Sequence, residues 1–272
     1  MKTRIMSSAI GVPVIILILI LSQLVTEFIA TIILSLLSVL MVSEVLSARK
    51  LLKNFKISAI CIAYGFAMPM VSFTRFWFLP FFLYIVATLC VMVFFHENVR
   101  LMDIAYSFFT TILVTTGVAS ITAMTTAYYH YCAFFAVLTM AIPWGADAGA
   151  YFVGLKYGKN KLCPNISPKK TVEGALGGIA SGVVVAMIIG LVFNFIFGYD
   201  YVNYIALIVI GLVNTPLSIL GDLSFSVIKR NLGIKDYGDI IPGHGGMLDR
   251  FDSIIVTAPF VYVVTLFTVV IL

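Results

Sequence analysis

Four aspartates in this chain, Asp147, Asp222, Asp249 and Asp252, stand where a carboxylate could do chemistry. Asp147 interrupts the run Trp144-Gly-Ala-Asp147-Ala-Gly-Ala-Tyr151. Asp222 interrupts Asn214-Thr-Pro216-Leu-Ser218-Ile-Leu-Gly-Asp222-Leu-Ser-Phe-Ser226. Glu44 stands near the end of a third apolar run. Ionisable groups inside such runs are costly and point to function. Ser218, Asp222, Ser226 and Arg230 recur every four residues, so on a helix they share one face and form a polar stripe. Pro216 frees a backbone carbonyl near the top of that stripe. A stripe of this kind belongs on a cavity wall, not against lipid.

The stripe runs into a loop that reads Lys229-Arg230-Asn-Leu-Gly-Ile-Lys235-Asp236-Tyr-Gly238-Asp239-Ile-Ile-Pro242-Gly243-His244-Gly245-Gly246-Met-Leu-Asp249-Arg250-Phe-Asp252. Pro-Gly-His-Gly-Gly is turn chemistry. Gly245 and Gly246 permit close backbone approach to a ligand, and consecutive N–H groups can form an anion nest. Asp249 and Asp252 are three apart and share a face if a helix starts there. Hard oxygen donors, without paired His or Cys, suit Mg²⁺ better than zinc. Mg²⁺ beside several cations implies a phosphate or pyrophosphate substrate. An earlier loop, Gly154 to Gly174, carries Lys156, Lys159, Lys161, Lys169 and Lys170 against the single acid Glu173. Its Ser167-Pro-Lys-Lys-Thr171 segment precedes a helix, where hydroxyls, lysines and free N–H groups suit phosphate. A surface for anionic lipid is the other reading of those lysines.

The elements that must position these groups are apolar helices. Of the 272 residues 61% are hydrophobic and 11% charged, against roughly 25% charged in an average soluble protein. That excludes a soluble enzyme, a disordered chain and a nucleic-acid-binding module. The expected fold is all-α, a polytopic membrane protein with about nine transmembrane helices. The spans are Met6–Leu21, Ile29–Leu46, Ile57–Val71, Phe78–Phe94, Ile104–Ala123, Cys132–Tyr151, Leu176–Ile196, Tyr204–Val227 and Ile254–Leu272. With the N-terminus cytoplasmic and the C-terminus outside, every one of the 17 basic residues except Arg75 falls inside, as the positive-inside rule requires. Met6–Leu21 follows Lys2 and Arg4 but lacks a small-residue cleavage site, so it reads as a retained helix. Residues 1–130 read as a transmembrane scaffold and residues 131–272 as a catalytic transmembrane domain with two cytoplasmic loops. Cys61, Cys90, Cys132 and Cys163 form no CxxC pair and read as small packing residues. Gly174, Gly178 and Gly182 read as a helix-packing stripe, and His96 and His130 as interfacial residues.

Asp222-Leu-x-x-Ser226-x-x-Lys229-Arg230, followed by Lys235-Asp236-x-Gly238-x-x-Ile241-Pro242-x-His244-Gly245-Gly246-x-x-Asp249-Arg250-Phe251-Asp252, resembles the signature of the phosphatidate cytidylyltransferases, or CDP-diacylglycerol synthases. Asp147-x-Gly149-Ala150-Tyr151 through Ser167-Pro168-Lys169-Lys170-Thr171-x-Glu173-Gly174 is similar to that family's other marked region. Val172 departs from it, where an aromatic is expected. The resemblance covers most of residues 144–252. It implies that CTP and phosphatidate give CDP-diacylglycerol and pyrophosphate with Mg²⁺, at a cell inner membrane, with the active site facing the cytoplasm.

It further implies a two-ion arrangement, with Asp222 and Asp249 as first ligands, Asp252 and Asp147 as weaker ones, and an additional cation beside Mg²⁺. Lys229, Arg230 and Arg250 would stabilise charge on the phosphates, and His244 would orient phosphate or shape its turn. Ser167, Lys169, Lys170 and Thr171 would hold the triphosphate or the lipid phosphate, with Ser226, Gly245 and Gly246 lining the substrate site. A homodimer is also implied. Two other readings stay open at this point: a CTP-dependent lipid or polyprenol kinase, and an ion or phosphate transporter using Asp147 and Asp222 as coupling-ion sites.

Overall fold

The computed structural model describes residues 27–239 and 245–271. The span expected at Met6–Leu21, the residue His244 and most of its turn lie outside the described residues. Eight long helices follow in order: α1 (Glu27–Ala48), α2 (Phe55–Val71), α3 (Phe78–Phe94), α4 (Leu101–Ala127), α5 (Cys132–Tyr157), α6 (Val172–Phe195), α7 (Tyr204–Asn231) and α8 (Leu248–Phe267). Each answers to one expected apolar span. Six of them are long and apolar enough to cross a membrane. α2 and α3, at 17 residues each, are about 25 Å long at 1.5 Å per residue, short of a core about 30 Å thick. The described chain is a mostly helical, multi-pass membrane protein.

Two compact units divide the chain: described residues up to Tyr129 with those of Leu232–Phe251, and His130–Asn231 with Asp252–Leu272. In the first, α1, α2 and α4 pack against one another, and α3 packs against α2 and α4. α3 buries only Tyr84 and Val91, two turns apart on one stripe. Tyr84 is sandwiched between Tyr64 and Phe108, with ring centroids at 4.3 and 5.4 Å. The rest of α3 turns Phe78, Phe82, Val93 and Phe94 outward, as a lipid-facing helix does. Where α1 ends, Arg49 Nε donates to Asp103 Oδ1 at 2.7 Å, and the Tyr106 hydroxyl donates to the Val45 carbonyl at 3.1 Å. Those contacts lock the end of α1 to the start of α4.

In the second unit α6 packs between α5 and α7. Glycine and alanine let the backbones approach. A Cβ on Gly174 would stand 2.7 Å from the Ala150 carbonyl, and one on Gly211 2.7 Å from the Val183 Cα. Two buried threonines bond their own helix, Thr139 donating to the Phe135 carbonyl at 2.7 Å and Thr215 to the Gly211 carbonyl at 3.1 Å, which removes the cost of an unpaired polar group in an apolar interior.

The expectation of helix throughout needs one correction. Lys161–Cys163 (β1) and Ser167–Thr171 (β2) form an antiparallel hairpin, pairing Lys161 with Thr171 and Cys163 with Ser167. Pro164-Asn165 favours the turn between them, and Pro168 cannot extend a helix backwards from α6. Helix ends also differ from the apolar runs. α5 continues six residues past Tyr151, and α8 begins at Leu248 and stops at Phe267. Beyond α8, Ile271 bridges to Val202, and Asn203 N–H donates to the Val270 carbonyl at 2.9 Å.

Candidate active site

The second unit gathers its charges around β2. Successive residues of a strand point to opposite faces, so the adjacent lysines Lys169 and Lys170 part company. Lys169 is exposed, whereas Lys170 turns toward α7 and its Nζ lies 2.5 Å from Asp222 Oδ2. Asp147, on α5, feels the charges of both Lys170 and Asp222. Two carboxylates and one cation from α5, β2 and α7 therefore form a single charged cluster.

Local interactions hold β2 in place. Thr171 caps α6, its Oγ1 accepting from Gly174 N–H at 3.1 Å. Glu173 closes the base of the hairpin, accepting from the N–H of Lys159 at 3.0 Å and from Asn160 Nδ2 at 2.7 Å. Exposed Lys159, Lys161 and Lys169 surround the hairpin, and half-buried Ser167 opens β2.

Along α7, burial falls steadily: Ser218 is buried, Asp222 and Ser226 half-buried, and Arg230 exposed. One turn before Ser218, Asn214 extends the stripe. Its side-chain amide and the Ser218 hydroxyl find no hydrogen-bond partner among the described residues. Lys229, also buried, places Nζ 3.9 Å from Asp252 Oδ2, while Asp252 Oδ1 accepts from Ser253 N–H at 2.7 Å.

Asp249, Gly245, Gly246 and Arg250 belong to the first unit. Asp249 Oδ2 accepts from the N–H groups of Tyr237 at 2.8 Å and Gly246 at 2.9 Å. Gly245 sits at φ +83°, where a side chain would be strained. The next two N–H groups, of Met247 and Leu248, donate to the two oxygens of Glu44 at 2.8 Å each. A Cβ on Gly246 would lie 2.7 Å from both Glu44 oxygens. The backbone donors of this glycine turn thus hold carboxylates of the chain itself. Glu44 is the residue whose role sequence reasoning missed. Its only signal was an acid inside an apolar run.

Among the described residues, no group of three or more His, Cys, Asp or Glu side chains is arranged to hold a metal. Mg²⁺ needs only one or two carboxylates when substrate phosphates and water complete its octahedron. Asp147 and Asp222, both oxygen donors and close enough to feel each other, fit that requirement.

The cytidylyltransferase family matches residues 2–268. The chain is 45% identical over 119 residues to the phosphatidate cytidylyltransferase of Bacillus subtilis, covering 44% of this chain and 42% of that one. It is 38% identical over 161 residues to that of Haemophilus influenzae, covering 59% and 56%. With that of Pseudomonas aeruginosa it shares 54% over 123 residues, covering 45% and 44%. The matched region spans about half the length of these relatives. A match along nearly its whole length places the chain in the cytidylyltransferase family.

Proposed function

We propose that this chain is a phosphatidate cytidylyltransferase, converting CTP and phosphatidate to CDP-diacylglycerol and pyrophosphate. The observation that carries the proposal is the Asp147–Lys170–Asp222 cluster, built on membrane helices beside a lysine-rich hairpin. With Mg²⁺ on its two carboxylates, such a cluster would suit a phosphate ligand delivered from a bilayer. The names of the relatives support the same chemistry.

In the reaction, a phosphate oxygen of phosphatidate attacks the α-phosphorus of CTP. One P–O bond forms, the bond to the β-phosphate breaks, and pyrophosphate leaves with the electron pair. The attacking oxygen already carries negative charge, so no strong base is needed. Catalysis rests on positioning and on neutralising charge. Lys170 and Lys169, with Ser167 and Thr171, hold phosphate oxygens, and Ser226 lines the same wall. Lys229, Arg230 and Arg250 neutralise charge on the phosphates, and His244 orients them. Gly245 and Gly246 are assigned to the substrate wall through the turn they form around Asp249 and Glu44. Bound Mg²⁺, with a second cation, supplies charge neutralisation of the triphosphate and its leaving group. Asp222, Asp249, Asp147 and Asp252 are the residues we assign to such ions.

The same proposal places nine crossing helices in a cell inner membrane, N-terminus inside and C-terminus outside, with the site facing the cytoplasm and the chain working as a homodimer. Single cysteines at Lys161 and Lys235, both exposed, test the orientation in a chain whose native cysteines are replaced by alanine. In intact cells an impermeant maleimide should leave both unlabelled until the membrane is opened. Labelling of either in intact cells refutes the orientation.

The reaction itself is tested with purified protein, phosphatidate, Mg²⁺ and labelled CTP. Label at the α-phosphorus should enter lipid while pyrophosphate is released. Lipid labelled only from the γ-position would make the chain a lipid kinase instead.

A further inference from the structure

We infer that Glu44 is a positioning residue for the turn, residues 245–248, that opens α8. This inference rests on the cytidylyltransferase reading for its kinetic consequence, though not for its geometry. Glu44 lies in α1 among Met41, Val42, Val45 and Leu46, all buried, and is itself 5% exposed. A carboxylate buried there is costly unless its oxygens are satisfied. Both are: Oε1 accepts from Met247 N–H and Oε2 from Leu248 N–H, each at 2.8 Å. These donors stand at the start of α8, where a helix has unpaired N–H groups and partial positive charge. Glu44 thus caps α8 from another helix, through a residue far away in sequence.

The turn is built to admit it. Gly246 and Gly238 both face the carboxylate, and a Cβ on either would stand 2.7 or 3.1 Å from it. The residue after Leu248 is Asp249, which collects the N–H groups of Gly246 and Tyr237. Glu44 therefore fixes the two N–H groups just ahead of Asp249, and Asp249 fixes the chain at Tyr237 and Gly246, both of which precede it. The first turn of α8 presents Asp249 and Arg250, and one turn on, Asp252. With both oxygens spent on backbone donors, Glu44 acts on the reaction only through the placement of these residues.

The test combines steady-state kinetics with hydrogen exchange on the full-length protein. Glu44→Gln keeps the size of the side chain but leaves one acceptor oxygen for two donors. Its kcat for CDP-diacylglycerol formation should fall at least about tenfold, with KM for CTP and phosphatidate changed less than about threefold. Exchange at the Met247 and Leu248 amides should accelerate about tenfold or more, while α6 exchanges as in the wild type. Glu44→Asp keeps the charge on a shorter arm and should recover part of the lost kcat. Gly246→Ala, which crowds the same oxygens, should accelerate exchange at the same two amides and guards against misfolding of the Gln variant. Ser47→Ala, at the exposed end of α1, should change neither readout. Wild-type kcat in Glu44→Gln with unchanged exchange at Met247 and Leu248 would overturn the inference. Faster exchange throughout α6 would also overturn it, because the residue would then be supporting the whole fold. If the wild-type chain forms no CDP-diacylglycerol, the functional proposal fails, and exchange at the two amides still decides the role of Glu44.

Discussion

Asp222→Asn should lower CDP-diacylglycerol formation by roughly a thousandfold, equivalent to about 4 kcal/mol of transition-state stabilisation. Asp222 is where the charges of the second unit converge. Its Oδ2 lies 2.5 Å from Lys170 Nζ, and its charge acts on Asp147. Asparagine keeps the shape but leaves Lys170 with one carboxylate neighbour where it had two, and removes a donor oxygen suited to Mg²⁺. The fold should survive. Both partners of the ion pair are part-exposed, so the pair contributes about 1 kcal/mol or less to stability, and the charges of Asp147 and Lys170 still act on each other. Turnover under saturating CTP and phosphatidate, with thermal unfolding alongside, separates these effects. Activity within about threefold of wild type would remove Asp222 from the chemistry.

Asp249→Asn should cost about a hundredfold in turnover, with Asp239→Asn as its control. Asp249 is buried and holds two backbone donors on one oxygen. Asparagine offers one acceptor where the carboxylate offers several, and carries no charge for an ion or for the loop. Asp239 is exposed and has no assigned role, so its loss should change turnover less than twofold, or about 0.4 kcal/mol. Both variants are compared across a Mg²⁺ titration. A loss in Asp249→Asn that high Mg²⁺ repairs points to weakened ion binding, and one that persists at saturation points to the loop. Near-normal turnover at low Mg²⁺ would end the metal assignment for this residue.

Helices were legible in the sequence because an apolar run is itself the signal. Phe78–Phe94 is both the run and the helix, since charged or interfacial residues bound it at each side. Ends were less legible: α5 runs on past Tyr151 because a helix can leave the bilayer with its backbone bonds intact. The hairpin was missed for a different reason. Lysine, proline and serine carry no alternation of polarity, and its pairing is set by Glu173 and Asn160, which close its base from outside the strands. Likewise, Lys169 and Lys170 are equivalent in sequence, and only the pleat of β2 sends one to Asp222. Asp147 and Asp222 stood out in the sequence because each interrupts an apolar span. The partner of Glu44 did not, because no spacing relates residues on two distant elements.

The grip of Glu44 on Leu248 spans 204 positions, and this orders events on the ribosome. At roughly 5–20 residues per second, Leu248 is made roughly 10–40 s after Glu44. Throughout that interval α1 carries an acid whose eventual donors do not yet exist. Glu44 stands one turn from Ala48, near enough to the membrane boundary for water to solvate it while it waits. Its desolvation comes only when the start of α8 emerges and supplies two N–H groups at once. The buried acid of the earliest described helix is therefore satisfied only once Met247 and Leu248 are made, and a ribosome that stalls in between leaves an exposed carboxylate at the membrane surface as the mark of an unfinished chain.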